Sequence, residues 1–421
     1  MLHALRGKNP AASGFQFAGG LASVRAVSLP TAIAILPARS AELRDLLTRW
    51  AEQNSGSDHF AGLAAMLALL HAEFSSLPGD IEHVPLANTA AKALRLRVRP
   101  AAPIQLFCSG HYDTVYGAAD PFQKCTLLSP EKLRGPGVID MKGGLVVMLA
   151  ALQAFESTPH AAKVGYEVLL GPDEEIGSFG TGALFAAAAQ RHQFGLVFEP
   201  ARPNGDLVHS RKGTGNFVAT CHGRAAHAAH PLRTGRNAIA ALAEFLVAAH
   251  RLPDEMPGVM FNIGNIRGGG PATNVVPDFA EAQLDLRITH AADRAAVLER
   301  LHALAAPINA RNGFRLEVTG AFNRPPMERS PAADMLFAAW QTAASDLGFT
   351  PFAWVHTGGG SDGNNLAAAG LPCLDGLGPI GDRLHSPEEW CHLPSLAERA
   401  QLAALVLHRL AAGEIALPAH R

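Results

Sequence analysis

Four apolar runs in this 421-residue chain each lead into acid or histidine side chains, and that repetition constrains the fold more than any other feature. His111 and Asp113 follow the run PIQLFCSG, Glu174 and Glu175 follow VGYEVLLG, Glu199 closes GLVFEP, and His385 comes after LPCLDGLG and a loop. Helical patterns such as MKGGLVVMLAALQAF and TGALFAAAAQRH lie between them. Strand runs alternating with helices predict a sheet with parallel strands covered by helices. In such a sheet ligands bind beyond the carboxyl ends of the strands, so side chains far apart in sequence converge there. Asp140, at the start of the helix MKGGLVVML, can join them.

The rhythm changes between residues 214 and 321. Strand GNFVATCHG, helix NAIAALAEFLVAAH, strands VMFNIGNI and AEAQLDLRI, helix RAAVLERLHALAAP and strand FRLEVTG follow in that order. This β-α-β-β-α-β succession predicts a compact ferredoxin-like α+β unit. The first style then resumes with AADMLFAAWQTAASDLG, the glycine-rich TGGGSDG and a closing helix, so the middle unit is read as an insertion. The α/β domain is expected over 40–213 and 322–421, with the insertion at 214–321. Residues 1–39, broken by Gly19, Gly20, Pro30 and Pro37, are expected to form a loose extension, since helical spacing begins with Leu43, Leu46, Leu47 and Trp50.

Charge excludes some partners. The chain has 35 Lys and Arg against 37 Asp and Glu, a balance that gives no field to gather nucleic acid or an anionic membrane surface. No apolar stretch is long enough to span a bilayer. The N-terminus lacks the continuous hydrophobic segment of a signal peptide, so a cytoplasmic protein is expected. Five cysteines with no CxxC pair do not form a disulfide framework and are read as reduced core thiols. A small soluble substrate fits this composition better than a macromolecule.

A mixed set of imidazole and carboxylate donors suits zinc, and cobalt or manganese would also fit. One carboxylate shared between two ions holds them about 3.5 to 4 Å apart, the spacing of hydrolytic pairs. Taken singly, an HxD, an EE pair or a TGGGSDG is ordinary loop chemistry. Their recurrence at four strand ends is not. Which of the adjacent Glu174 and Glu175 would bind metal is left open by spacing, because a small backbone rotation exchanges them.

The segments GHYDTV (110–115), RGPGVIDMKGG (134–144), GPDEEIGS (171–178), FEP (198–200), GRAAHA (223–228) and HSPEE (385–389) resemble the M20-type dinuclear zinc peptidases. That family includes glutamate carboxypeptidase, aminoacylase, acetylornithine deacetylase and succinyl-diaminopimelate desuccinylase. The resemblance covers nearly the whole chain after residue 40 and is nearest in flavour to the glutamate carboxypeptidase branch. It implies a zinc-peptidase-like catalytic domain, with a mixed central sheet flanked by helices, and an inserted ferredoxin-like dimerisation or lid domain. It also implies two zinc ions per chain, bridged by Asp140, with His111 and Glu199 on one and Glu175 and His385 on the other.

Further roles are implied by the same resemblance. Glu174 becomes the general base and Asp113 orients His111. His227 reaches into the active site of the partner subunit to stabilise the developing oxyanion, which makes the protein a homodimer. Asn274 and Arg287 hold the substrate's free carboxylate, for which the planar fork of arginine is suited. Gly359 and Gly360 let substrate approach the backbone closely. The implied reaction is hydrolysis of a peptide or N-acyl bond beside a free carboxylate, releasing an amino acid. An N-acyl-amino-acid deacylase, a dipeptidase and a non-catalytic binder of small acyl amino acids are the alternatives. A dinuclear phosphoesterase would need a cationic phosphate site in place of a carboxylate clamp.

Overall fold

The structure, a computed structural model, describes residues 29–87, 89–229 and 234–416. Its core is an eight-stranded mixed sheet. In spatial order the strands are Asp80–Pro85, Lys92–Val98, Val164–Gly171, Ile104–His111, Phe194–Val197, Cys373–Asp375, Leu207–Arg211 and Trp354–Thr357. The four middle strands, Val164–Gly171 through Cys373–Asp375, are mutually parallel. These are the runs read from the sequence as leading into acid and histidine residues. Antiparallel pairings enter only toward the edges, through Lys92–Val98 and Leu207–Arg211. A smaller sheet of Thr126–Ser129, Lys132–Arg134, Gly381–Asp382 and Trp390–His392 ties the loop carrying His385 to the segment before Asp140.

Helix Lys142–Glu156 is apolar around its whole circumference because it is buried on all sides, by Ile104–His111 and by the helices Ser40–Glu52 and Pro394–Ala412. Its first turn runs close under the sheet. A Cβ on Gly144 would come within 1.8 Å of the Phe198 carbonyl oxygen, so glycine is what lets the helix start beside the strand end that carries Glu199.

Residues 31–39 are not loose. Thr31–Ala34 is helical and Leu36–Arg39 forms a 3-10 turn, with Ile33 and Leu36 fully buried against the Pro394–Ala412 helix and its neighbours. The expected extension misses them because two short helical pieces joined at Ile35 show no sustained periodicity. The rest of that expectation, residues 1–28, lies outside the described residues.

The middle unit has its own sheet, ordered Met260–Gly268, Phe279–Ile288, Gly213–His222, Arg315–Arg324, and all antiparallel. With helices Ala238–Ala249 and Asp293–Asn309 it is the ferredoxin-like β-α-β-β-α-β arrangement. Phe217, Leu242, Phe245, Leu284 and Leu301 build a core separate from that of the larger domain. The chain crosses between the units at 212–213 and 324–325. Asn364 holds both crossings, donating to the Lys212 carbonyl at 3.1 Å and the Pro325 carbonyl at 2.8 Å.

Candidate metal centre

The parallel strands deliver their terminal side chains to one place. His111 Nε2 lies 3.2 Å from Asp140 Oδ1 and 3.7 Å from Glu199 Oε1. His385 Nε2 lies 3.2 Å from Asp140 Oδ2 and 3.1 Å from Glu175 Oε2. Asp140 therefore turns one oxygen to each of two groups, His111 with Glu199 and Glu175 with His385. In each group the possible ligand atoms lie within 4.8 Å of one another. The His111 side chain is 1% exposed and that of His385 is 54% exposed, so one half of the centre is interior and the other opens to solvent.

The electrostatics of the cluster call for cations. Burial pushes the Glu175 carboxyl up to about 7, aided by neighbouring Asp140, and lifts Glu199 well above the usual carboxylate range. Hydrogen bonds to Asp140 and Glu175 raise the His385 imidazole to about 11. Burial works against a charged His111, but Asp113 and Asp140 outweigh it and raise this imidazole too. Burial would also raise Asp140, yet its bonds to His111 and His385 hold it well below its ordinary value. The group gathers protons where divalent ions would supply the missing positive charge. Its mixed nitrogen and oxygen donors are the set that zinc takes.

A shell of supporting contacts fixes these side chains. Asp113 is fully buried; Oδ1 faces His111 Nδ1 at 3.2 Å, and its two oxygens accept the backbone N–H groups of Glu174 and Glu175, each at 3.1 Å. One aspartate thus orients an imidazole and the loop bearing both glutamates. Glu389, from HSPEE, accepts from the backbone N–H groups of Ile139 at 2.9 Å, Asp140 at 3.1 Å and Gly137 at 3.2 Å, and from the Tyr116 hydroxyl at 2.7 Å. It shapes the turn that presents Asp140. The motif HSPEE alone assigns Glu389 no role, since a carboxylate that accepts backbone donors leaves no pattern of partners in the sequence.

Among the described residues, Glu174 belongs to neither metal group. Arg324 at the end of the last inserted strand ion-pairs with its Oε1, and donates to the Glu174 carbonyl at 3.1 Å and to Ser178 Oγ at 3.2 Å. Arg324 was not singled out from sequence, and it lies three residues beyond the expected end of the insertion. Its only signal is a cation at the point where the chain leaves one unit for the other.

The remaining expected residues lie on the inserted unit or against it. His227 is exposed on the ribbon Ala226–His227, which pairs with Val275–Val276; Asn274 directly precedes that second strand, and its carbonyl accepts from Ala228 N–H at 2.9 Å. Arg287 is engaged within the chain, with Nε and Nη2 on Asp285 Oδ2 at 3.1 and 3.0 Å and Nη1 on the Gly358 carbonyl at 2.8 Å. Gly359 accepts from Arg211 at 3.3 Å. The glycine loop therefore joins a cation of each unit.

Comparison with known proteins agrees with this architecture. Carboxypeptidase G2 from Pseudomonas sp. (strain RS-16) is 26% identical over 371 residues, 86% of this chain and 87% of that protein. Succinyl-diaminopimelate desuccinylase from Alkalilimnicola ehrlichii is 28% identical over 324 residues, 72% of this chain and 84% of that enzyme. A tripeptidase from Staphylococcus aureus shares the fold with a TM-score of 0.74 at 21% identity, covering 89% of this chain and 99% of its own. A dinuclear metal-binding peptidase from Bacillus subtilis does so with a TM-score of 0.65 at 16% identity, covering 90% and 99%. The sequence model of peptidase family M20/M25/M40 matches residues 107–409, and the chain belongs to that family of metal-dependent hydrolases.

Proposed function

We propose that this protein is a dinuclear zinc amidohydrolase that cleaves a peptide or N-acyl bond next to a free carboxylate and releases an amino acid. The observation that carries the reading is the division of Asp140, one oxygen toward His111 and Glu199 and the other toward Glu175 and His385. Two ions held there would polarise the amide carbonyl and the attacking water. Glu174 accepts the water proton and returns it to the leaving amine, so one carboxylate serves both steps. Arg324 holds that carboxylate in place. Asn274 and Arg287 receive the substrate carboxylate, with Asp285 released from Arg287 as it arrives. Gly359 and Gly360 offer backbone to the substrate beside them.

The active form is a homodimer joined through the inserted units, in which His227 of each chain serves its partner's site as oxyanion donor. The strand Met260–Gly268 lies at the edge of its sheet, and Val247, Met260 and Ile266 are exposed large apolar groups on this unit. An open strand edge flanked by apolar groups is a surface that a second chain can cover. The five free cysteines agree with a reducing compartment such as the cytoplasm. Among the described residues no helix is long and apolar enough to cross a membrane.

The test is hydrolysis of N-acyl amino acids, dipeptides and glutamate conjugates, followed by amine release, with metal-loaded and chelator-stripped protein. Activity is expected to vanish on stripping, to return with zinc, and to fall about 10²- to 10⁴-fold in Glu174→Gln with two ions still bound. Full activity in that variant would remove the assigned base. Silence across the panel at two bound ions per chain would favour a binding role.

A further inference from the structure

Two histidines that belong to neither metal group meet on the surface. His71 Nδ1 lies 3.0 Å from His83 Nε2, with the rings edge-on at 88° and their centroids 5.0 Å apart. Both residues are exposed, so solvent reaches the pair. They come from different elements, His71 from the last turn of helix Phe60–Phe74 and His83 from Asp80–Pro85, the edge strand of the eight-stranded sheet.

Packing of each element brings the two rings together. The helix buries Met66, Leu70 and Phe74 in the main core, and Ser75 closes its end by donating to the His71 carbonyl from N–H at 3.0 Å and from Oγ at 2.6 Å. Alternation along the strand puts Ile81 and His83 on one face and Val84 on the other. Ile81 packs on the same core as the helix, whereas Val84 joins a different cluster, so His83 is carried on the face that the helix covers. The neighbouring carboxylates are engaged elsewhere, Glu82 by Arg95 and Glu73 by Arg49. Partial burial, then the nearby charges of His71 and Lys92, lowers the His83 imidazole and keeps its nitrogen free of a proton near neutrality.

Two imidazole nitrogens that each bind one ion at about 2.0 to 2.1 Å stand roughly 3 Å apart, the separation found here. An N–H···N hydrogen bond between the rings has a similar length, and small rotations of the exposed rings convert one arrangement into the other. We infer that His71 and His83 form a surface site for a divalent transition-metal ion, made from none of the residues gathered at Asp140. Imidazole suits copper, nickel and zinc, and copper(II) binds tightest in that series. Among the described residues no third histidine, cysteine or carboxylate joins the pair within metal-binding reach, so water completes the coordination shell. An ion there ties the end of the helix to the edge strand, and its binding stabilises the fold. Neither residue takes part in the proposed hydrolysis.

The experiment measures copper uptake by the full chain, first loaded with zinc to fill the centre at Asp140, in wild type, His71→Ala and His83→Ala. Each protein is dialysed against buffered Cu2+, and bound copper is counted by elemental analysis. Wild type is expected to hold one copper per chain more than either variant, and the difference in electron paramagnetic resonance should show two imidazole nitrogens on that ion. Copper affinity at the pair should fall at least on the order of tenfold in each variant, since even the outer partners of a metal cost that much. Copper should also raise the melting temperature of wild type beyond that of the variants. Each variant changes one exposed side chain and should melt like wild type without copper; if one does not, the other alone carries the comparison. Equal copper uptake by all three proteins, or a difference spectrum without two imidazole nitrogens, overturns the site and leaves the centre at Asp140 as proposed.

Discussion

The metal-holding end and the exposed ribbon of the inserted unit present their polar side chains in different settings. At the metal end buried carboxylates support the donors' surroundings: Asp113 on His111 and the glutamate loop, Glu389 on the turn before Asp140. On the inserted unit His227 and Asn274 stand on an exposed two-strand ribbon. Catalysis needs ligands held within a fraction of an ångström, and buried hydrogen bonds provide that rigidity. A residue that serves another chain must be presented at the surface. Under the proposed dimer, the metal end would be complete in a single chain, and the ribbon would act on a second one.

The sharpest way to break this contrast is to mix two inactive proteins. Asp140→Ala alone should abolish activity by removing the shared carboxylate. His227→Ala alone should lower kcat about 10²- to 10³-fold, the usual loss for one oxyanion donor. Refolded together, they yield heterodimers in which one site has an intact centre and receives the intact His227 of its partner. Recovery of up to roughly a quarter of wild-type activity is expected, and it is measured as amine release against the unmixed proteins. No recovery, with heterodimers demonstrated, would place His227 in its own chain's site.

A smaller effect tests the locking at the metal end. Glu389→Gln keeps the size but turns one accepting oxygen into an amide donor, which opposes either Gly137 N–H or the Ile139 and Asp140 N–H groups. The turn shifts, and metal affinity should fall about 10- to 100-fold, the loss typical of outer partners of a metal site. Competition with a fluorescent chelator measures it. Excess zinc should restore most of the turnover, whereas a loss that zinc does not repair would mean that Glu389 acts on the fold rather than on Asp140.

What could be read from sequence follows the same division. His111, Glu199 and the Glu174–Glu175 pair are legible because each follows an apolar strand run, and the parallel order of those strands brings them together, whereas the choice of Glu175 over Glu174 rests on the family resemblance. The insertion was legible because its strands and helices alternate with clear periods. Arg324 and Glu389 were not, since their partners are backbone groups and a carboxylate that only the folded chain brings near. Neither were the edge strands Asp80–Pro85 and Trp354–Thr357, which are short and border loops. The Arg287 fork was legible as a cation but not as one already engaged by Asp285 and Gly358.

The glycine loop offers the finest discrimination, because its two candidate positions face different surroundings. A Cβ on Gly359 meets nothing within 4 Å, so Gly359→Ala should fold normally and act only on substrate that approaches the loop. A Cβ on Gly360 would lie 2.9 Å from Arg324 Cδ, so Gly360→Ala pushes against the side chain that holds Glu174. Gly359→Ala is therefore expected to raise KM a few-fold at constant kcat, the sign of lost uniform binding. Gly360→Ala should lower kcat a few-fold with little change in KM. If both variants changed KM alone, Arg324 would have no hold on the base, and the loop would serve the substrate only.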